Sequence, residues 1–328
     1  MDGIINVYKE AGYTSFDVVA KLRGVLETRK LGHTGTLDPD AVGVLPVCIG
    51  MGTKVCELLM DETKEYVALM RLGVVTDTLD MSGEIISEDY AGAKNIHSSE
   101  VREAIMSFVG EITQIPPMYS AVKVNGQKLC DLARKGQEID RTPRQVRIDE
   151  IEILDGPIYV EKNDCDDAEK NGGKDDIGSS YVNYKIRVVC SKGTYIRTLI
   201  NDIGQKLGCG AAMEQLERTR VGRFKAEDAL TIEEIGRKKE EGCLHNYIVP
   251  VDIMFEQHAP LHVTEQGMKA LNNGNQIQEN DIWEVVEGVK LKKRMVYRIY
   301  SYDNQFRALY EYHSGWKVLK PVKIFSIG

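Results

Sequence analysis

No apolar run in this chain approaches the ~20 residues that a membrane-spanning helix needs. The start, Met1-Asp2-Gly3-Ile4-Ile5-Asn6, has neither the basic residues nor the long apolar core of a signal peptide. It reads as the first strand of a mature cytoplasmic protein. Seven cysteines are present, an odd number, and no two form a Cys-x-x-Cys pair. That pattern gives no support to a disulfide framework or a structural zinc site, and it fits free thiols in a reducing compartment. His-Glu-x-x-His and Gly-x-Ser-x-Gly do not occur. Gly50-Met51-Gly52-Thr53-Lys54 lacks the spacing and ending of a phosphate loop and the third glycine of a dinucleotide fingerprint. The expectation is a protein without metal or cofactor.

What is present is ordinary globular composition: 328 residues, 42% hydrophobic and 28% charged. That length holds one large domain and one small one, at roughly 100–200 residues each. The net charge of −8 argues at first against a nucleic-acid partner. It is unevenly spread. Eight acidic and three basic residues between Asp155 and Asp176 carry −5 of it, leaving −3 elsewhere. Phosphate binding follows the local basic surface, so an RNA partner is permitted.

Gly3–Lys9, Val44–Ile49, Glu65–Leu72, Val146–Leu154 and Tyr181–Cys190 read as strands. Thr14-Ser15 caps a helix with Phe16, Val19, Leu22 and Leu26 on one face, and Ser98-Ser99 caps another through Val109. Short helices are expected at Thr53–Met60 and Leu129–Lys135, and longer ones at Thr194–Leu207 and Thr231–Glu241. Thr76–Gly83 is turn chemistry, and Asn125-Gly126 is a hairpin turn. The acidic stretch Lys162–Ser180 reads as a solvated, disordered insertion. From about Pro250, short strands dominate: Leu261–Val263, Trp283–Val286, Met295–Tyr302, Gln305–Tyr312 and Trp316–Ile324.

Four segments carry candidate chemistry. In Gly32-His33-Thr34-Gly35-Thr36-Leu37-Asp38-Pro39, the proline pins the chain after Asp38 and the glycines allow unusual backbone angles. A rigid turn would present a carboxylate and an imidazole. Asp38-Pro39-Asp40-Ala41-Val42 also has the outline of an aspartyl-phosphate motif with a Mg²⁺ partner. Ser191–Arg197 lies at a strand-to-helix junction, where Arg197 can fork two donors onto a carboxylate. Tyr66 heads a strand and reads as core aromatic or base-stacking platform. Lys123, Lys128, Arg134, Lys135, Arg141, Arg144 and Arg147 form a solvated face or a phosphate track.

Together these segments resemble the bacterial TruB-type tRNA pseudouridine synthases over about residues 3–250. The likeness rests on Ile5–Thr14, the Gly-His-Thr-Gly-x-Leu-Asp-Pro loop, Gly43–Gly50 and Lys64-x-Tyr66. It continues through Gly73-x-x-Thr76-Asp77-Thr78-x-Asp80, Gln114-x-Pro-Pro-x-Tyr-Ser-Ala-Val-Lys, Cys190-Ser-Lys-Gly-Thr-Tyr-Ile-Arg and Leu216-x-Arg-Thr-Arg-x-Gly222. Glu10 stands where that family commonly has proline, and Cys130 where it has an aromatic. The resemblance implies a pseudouridine synthase fold of the α+β class: a mixed, largely antiparallel central sheet with flanking helices over residues 1–249. An acidic insertion at about 160–180 and a small β-barrel-like, PUA-type RNA-binding domain over 250–328 complete it.

The implied activity is isomerisation of uridine in the T-loop of tRNA, at position 55, by base flipping and an aspartate-dependent mechanism, in a cytoplasmic monomer. The alternative is a non-catalytic tRNA-binding or tRNA-folding protein on the same fold. Asp38 falls on the catalytic aspartate, Arg197 on its paired arginine and Tyr66 on the tyrosine that contacts the base. His33 falls on the histidine that fills the vacated stack, Tyr195 and Leu216 on pocket positions, and Lys9 on a lysine near the active site. The reaction breaks N1–C1′ and forms C5–C1′, which needs no redox partner and no external donor. Asp38 would have to be ionised, and an Arg197 fork is expected to keep its pKa low.

Overall fold

Short apolar runs and alternating apolar residues build most of one large sheet. In the computed structural model, which describes residues 1–124, 126–137, 139–161, 180–285 and 290–325, that sheet has ten strands. Its main path runs Ile248–Val249, Gly3–Lys9, Val42–Ile49, Ala211–Val221, Lys64–Leu72, Ser180–Cys190, Arg144–Glu161, Gly110–Gln114. Every neighbouring pair on that path is antiparallel except one. Ala211–Val221 meets Val42–Ile49 in parallel over only two positions, Glu217 with Val42 and Arg218 with Gly43. The loop that carries Asp38 enters the sheet at this junction.

Helix Ser15–Val25 begins with a capping box between Thr14 and Asp17 and buries Val18, Val19 and Leu22. Phe16, expected on that buried face, is 64% exposed instead. Helix Ile196–Leu207 packs its apolar side on Tyr66, Ala68, Met70 and Leu72, and it ends at Gly208 with φ +79°. Helix Ile232–Glu240 joins Ser15–Val25 over Ile5, Val7, Leu45, Val47 and Ile49.

The sequence did not announce the central strand Ala211–Val221. Its middle, Glu214-Gln215-Leu216-Glu217-Arg218-Thr219-Arg220, has no apolar alternation. Ion pairs replace it. Glu214 meets Arg71 at 2.8 Å and accepts from Asn183 Nδ2 at 2.8 Å, and Arg220 lies 3.6 Å from Glu65. Helix Tyr90–Asn95 and strand Gly110–Gln114 were likewise unforeseen. The acidic stretch 162–179, Asn125 of the hairpin turn and Val286 lie outside the described residues.

A second sheet of six strands spans Pro260 to Ile324, with helix Glu265–Asn272 interrupting what read as all β. It does not stand apart from the first. Phe255 lies 5.4 Å from Phe325 and 6.0 Å from Phe306 between ring centres. These residues share one apolar cluster with Ile4, Val44, Cys48, Val221 and Phe224 of the large sheet. Phe255→Ala is therefore expected to lower stability by about 3–5 kcal/mol in urea denaturation. Both sheets should lose stability together; a shift confined to the C-terminal segment would contradict the shared core.

Candidate active site

The Asp38 loop is tied down from beneath before any functional group is considered. Lys9, at the end of the first strand, is fully buried. Its ammonium donates to the carbonyls of Ala41 at 2.5 Å, Pro39 at 2.8 Å and Glu10 at 3.1 Å. Burial lowers its pKa to about 8, against the pull of Asp40 and Asp38. Ser15 Oγ accepts from Leu37 N at 2.9 Å, and Thr34 is bonded to the Pro46 carbonyl at 3.2 Å. Gly35 takes φ +134°, a conformation that glycine tolerates and other residues avoid.

The loop presents Asp38 to Arg197 in the first turn of helix Ile196–Leu207. Arg197 Nε meets Asp38 Oδ2 at 3.0 Å, and Nη2 meets Oδ1 at 3.1 Å, a two-pronged fork. The same guanidinium reaches Asp80 Oδ2 at 3.2 Å, the Thr78 carbonyl at 3.0 Å and the Tyr119 carbonyl at 2.8 Å. The side chain of Arg197 is 5% exposed and that of Asp38 37%. Asp80 is oriented in turn: its Oδ1 accepts from Thr78 Oγ1 at 2.7 Å and from Ser82 N at 3.1 Å. Asp80 was legible only as turn chemistry. The cue to its role was the Thr-Asp-Thr-x-Asp spacing, which turns the second carboxylate back towards the helix.

Asp38 lies on a groove of about 1440 Å³. Arg197, His33, Leu216, Phe16, Tyr119, Cys130 and Arg134 also line it. Lys9, Tyr66 and Tyr195 are not among its lining residues. Lys9 reaches loop carbonyls rather than the groove. Tyr66 is buried and close enough for the Asp38 charge to act on its phenol; burial pushes that hydroxyl's pKa upward, and Arg218 opposes the push. Tyr195 is held at both backbone ends by Gln114, at 3.0 and 3.2 Å, with Asp38 and Arg197 near its phenol. His33 Nδ1 lies 3.2 Å from the Gly35 carbonyl, and burial pushes the imidazole pKa below its ordinary value.

One expectation is corrected by this geometry. The pKa of Asp38 is raised, because burial outweighs the opposing Arg197 charge, and the neighbouring Asp80 adds to the rise. Arg197 engages both oxygens of Asp38. Within the basic stretch, Arg134 reaches the groove, Arg141 donates to the Pro116 carbonyl and Arg147 pairs with Asp149. The side chains of Lys123 and Lys128 lie outside the described residues.

A family model for "TruB family pseudouridylate synthase (N terminal domain)" matches residues 23–196, and one for "tRNA pseudouridylate synthase B C-terminal domain" matches residues 197–256. A relative from Lachnoclostridium phytofermentans named tRNA pseudouridine synthase B is 44% identical, over 99% of this chain and 100% of its own. One of the same name from Clostridium tetani is 38% identical, over 98% and 99%. A solved H/ACA ribonucleoprotein bound to a substrate RNA containing 2′-deoxyuridine has the same fold. It matches with a TM-score of 0.63 and 26% identity, covering 99% of this chain and 85% of that one. By sequence along nearly its whole length, the chain belongs to the TruB family of pseudouridylate synthases.

Proposed function

We propose that this enzyme converts a uridine in the T-loop of tRNA, position 55, to pseudouridine without a cofactor. The observation that carries the reading is the forked Asp38–Arg197 pair on a groove large enough for a nucleotide. A uridine inside a folded loop has to leave its stack to reach a carboxylate in such a groove. His33, its imidazole pKa pushed down by burial, fills the vacated space. Stacking on the Tyr66 or Tyr195 ring offsets part of the unstacking, at ~1–3 kcal/mol per contact.

Asp38 acts as the carboxylate on the sugar or base, and Arg197 fixes both its oxygens. Once N1–C1′ is broken, the base turns while Leu216 and the groove walls hold it, and C5 is joined to C1′. We assign to Tyr66, near enough to Asp38 to feel its charge, the contact with the base and a share in removing the C5 proton, the role that the family resemblance implies. Lys9 serves the loop, not the substrate. The PUA-type segment from about residue 250 adds RNA contacts distant from the flipped base.

Asp38→Asn is expected to abolish turnover while tRNA affinity stays within about tenfold, or ~1.4 kcal/mol, since phosphate contacts dominate binding. Filter binding and single-turnover assays check both; near-normal turnover would sink the assignment.

The acid limb of kcat/KM follows from the Asp38 environment. The active form is the ionised one, so activity falls as pH drops through a pKa above the ordinary aspartate value of about 3.9. Arg197→Gln removes the opposing cation and should move that limb to higher pH. Asp80→Asn removes a like charge and should move it to lower pH. Residual-rate pH profiles of the two variants that shift in the same direction would contradict this.

A further inference from the structure

Arg218 is a fully buried side chain, 1% exposed, in the middle of the unforeseen strand Ala211–Val221. Strand register places it directly opposite Tyr66 on one neighbouring strand and opposite Gly43 on the other. Gly43 makes room for it: a Cβ there would lie 2.3 Å from the Arg218 carbonyl oxygen. Arg218 Nε donates to the Val44 carbonyl at 2.7 Å, just beyond the Asp38 loop. A Cβ on Gly35, inside that loop, would lie 3.6 Å from Arg218 Nη1. The Tyr66 phenol, on the residue paired with Arg218 across the strands, feels the same guanidinium, whose charge opposes the effect of burial.

Packing alone does not account for a cation here. Among the described residues, the side-chain hydrogen bond of Arg218 goes to a carbonyl, not a carboxylate, and its Nη2 makes no hydrogen bond. Lys9, Lys64 and His33 all feel its positive charge. A buried charge without a paired carboxylate is costly, and a methionine would fill a similar volume at no electrostatic cost.

We infer that Arg218 is a positioning residue, which ties the Tyr66 phenol to the loop that presents Asp38 so that the two keep a fixed separation. This rests on the role proposed above for Tyr66. Its Nε holds the Val44 carbonyl while its charge bears on the Tyr66 phenol; a lysine supplies the charge from a single point.

The test is a double-mutant cycle on the full chain with Arg218→Met, Tyr66→Phe and the pair, read as single-turnover rate at saturating tRNA and as tRNA affinity. Arg218→Met is expected to lower the saturated rate about 100-fold, the cost of a small misplacement, with affinity within about tenfold. In the Tyr66→Phe background the same change should lose most of its effect. Arg218→Lys should fall between wild type and Arg218→Met, and it carries the cycle if the methionine variant fails to fold by circular dichroism. Losses that multiply independently of Tyr66, or a loss of affinity with the saturated rate intact, would overturn the inference. Those outcomes leave the family reaction standing, whereas an active Asp38→Asn would remove the reading on which Tyr66 depends.

Discussion

One guanidinium organises the site. Arg197 directs its donors to two carboxylates and two backbone carbonyls, which come from three separate parts of the chain. Asp38 belongs to the loop before strand Val42–Ile49, and Asp80 and Thr78 to the turn after strand Lys64–Leu72. Tyr119 belongs to the segment that walls the groove. Removing one member of such a buried network leaves charge uncompensated and typically costs 3–5 kcal/mol. The same network that orients Asp38 therefore also joins the helix, the loop and the wall.

The floor of the site follows a second rule: buried cations held by backbone carbonyls. Lys9 uses three carbonyls, Lys64 those of Met60 and Glu62, and Arg218 that of Val44. Carbonyls at loop ends have no ladder partner, so a buried ammonium or guanidinium satisfies them and fixes the backbone at the same time. The loop is thereby set before any substrate arrives, which is what a group acting on a reacting carbon requires.

Much of this was legible in the chain, and the rest failed for identifiable reasons. Strand Gly3–Lys9 is a short apolar run and Lys64–Leu72 alternates in burial, and Thr14 and Thr231 announce their helices by capping. The Asp38 loop and Arg197 stood out because proline, glycine and a strand-to-helix junction have local signatures. Ala211–Val221 was invisible because charged and polar residues crowd its middle around the single apolar Leu216, and periodicity detects only apolar patterns. Asp80 was hidden for a similar reason: its partner lies more than a hundred residues away, and only folding brings the two together. The sign of the Asp38 pKa shift depended on how deeply the loop is buried, a quantity that no local pattern encodes.

The account stands or falls on whether this site exchanges the bond at C5 of a uridine in the T arm. The direct measurement is tritium release from T-arm RNA labelled at C5 of its uridines, incubated with the purified full-length chain and no additive. Release equivalent to one uridine per RNA, lost when the uridine at position 55 is replaced by cytidine, is the predicted result. No release from an RNA that the protein demonstrably binds, or release that survives that replacement, would contradict it.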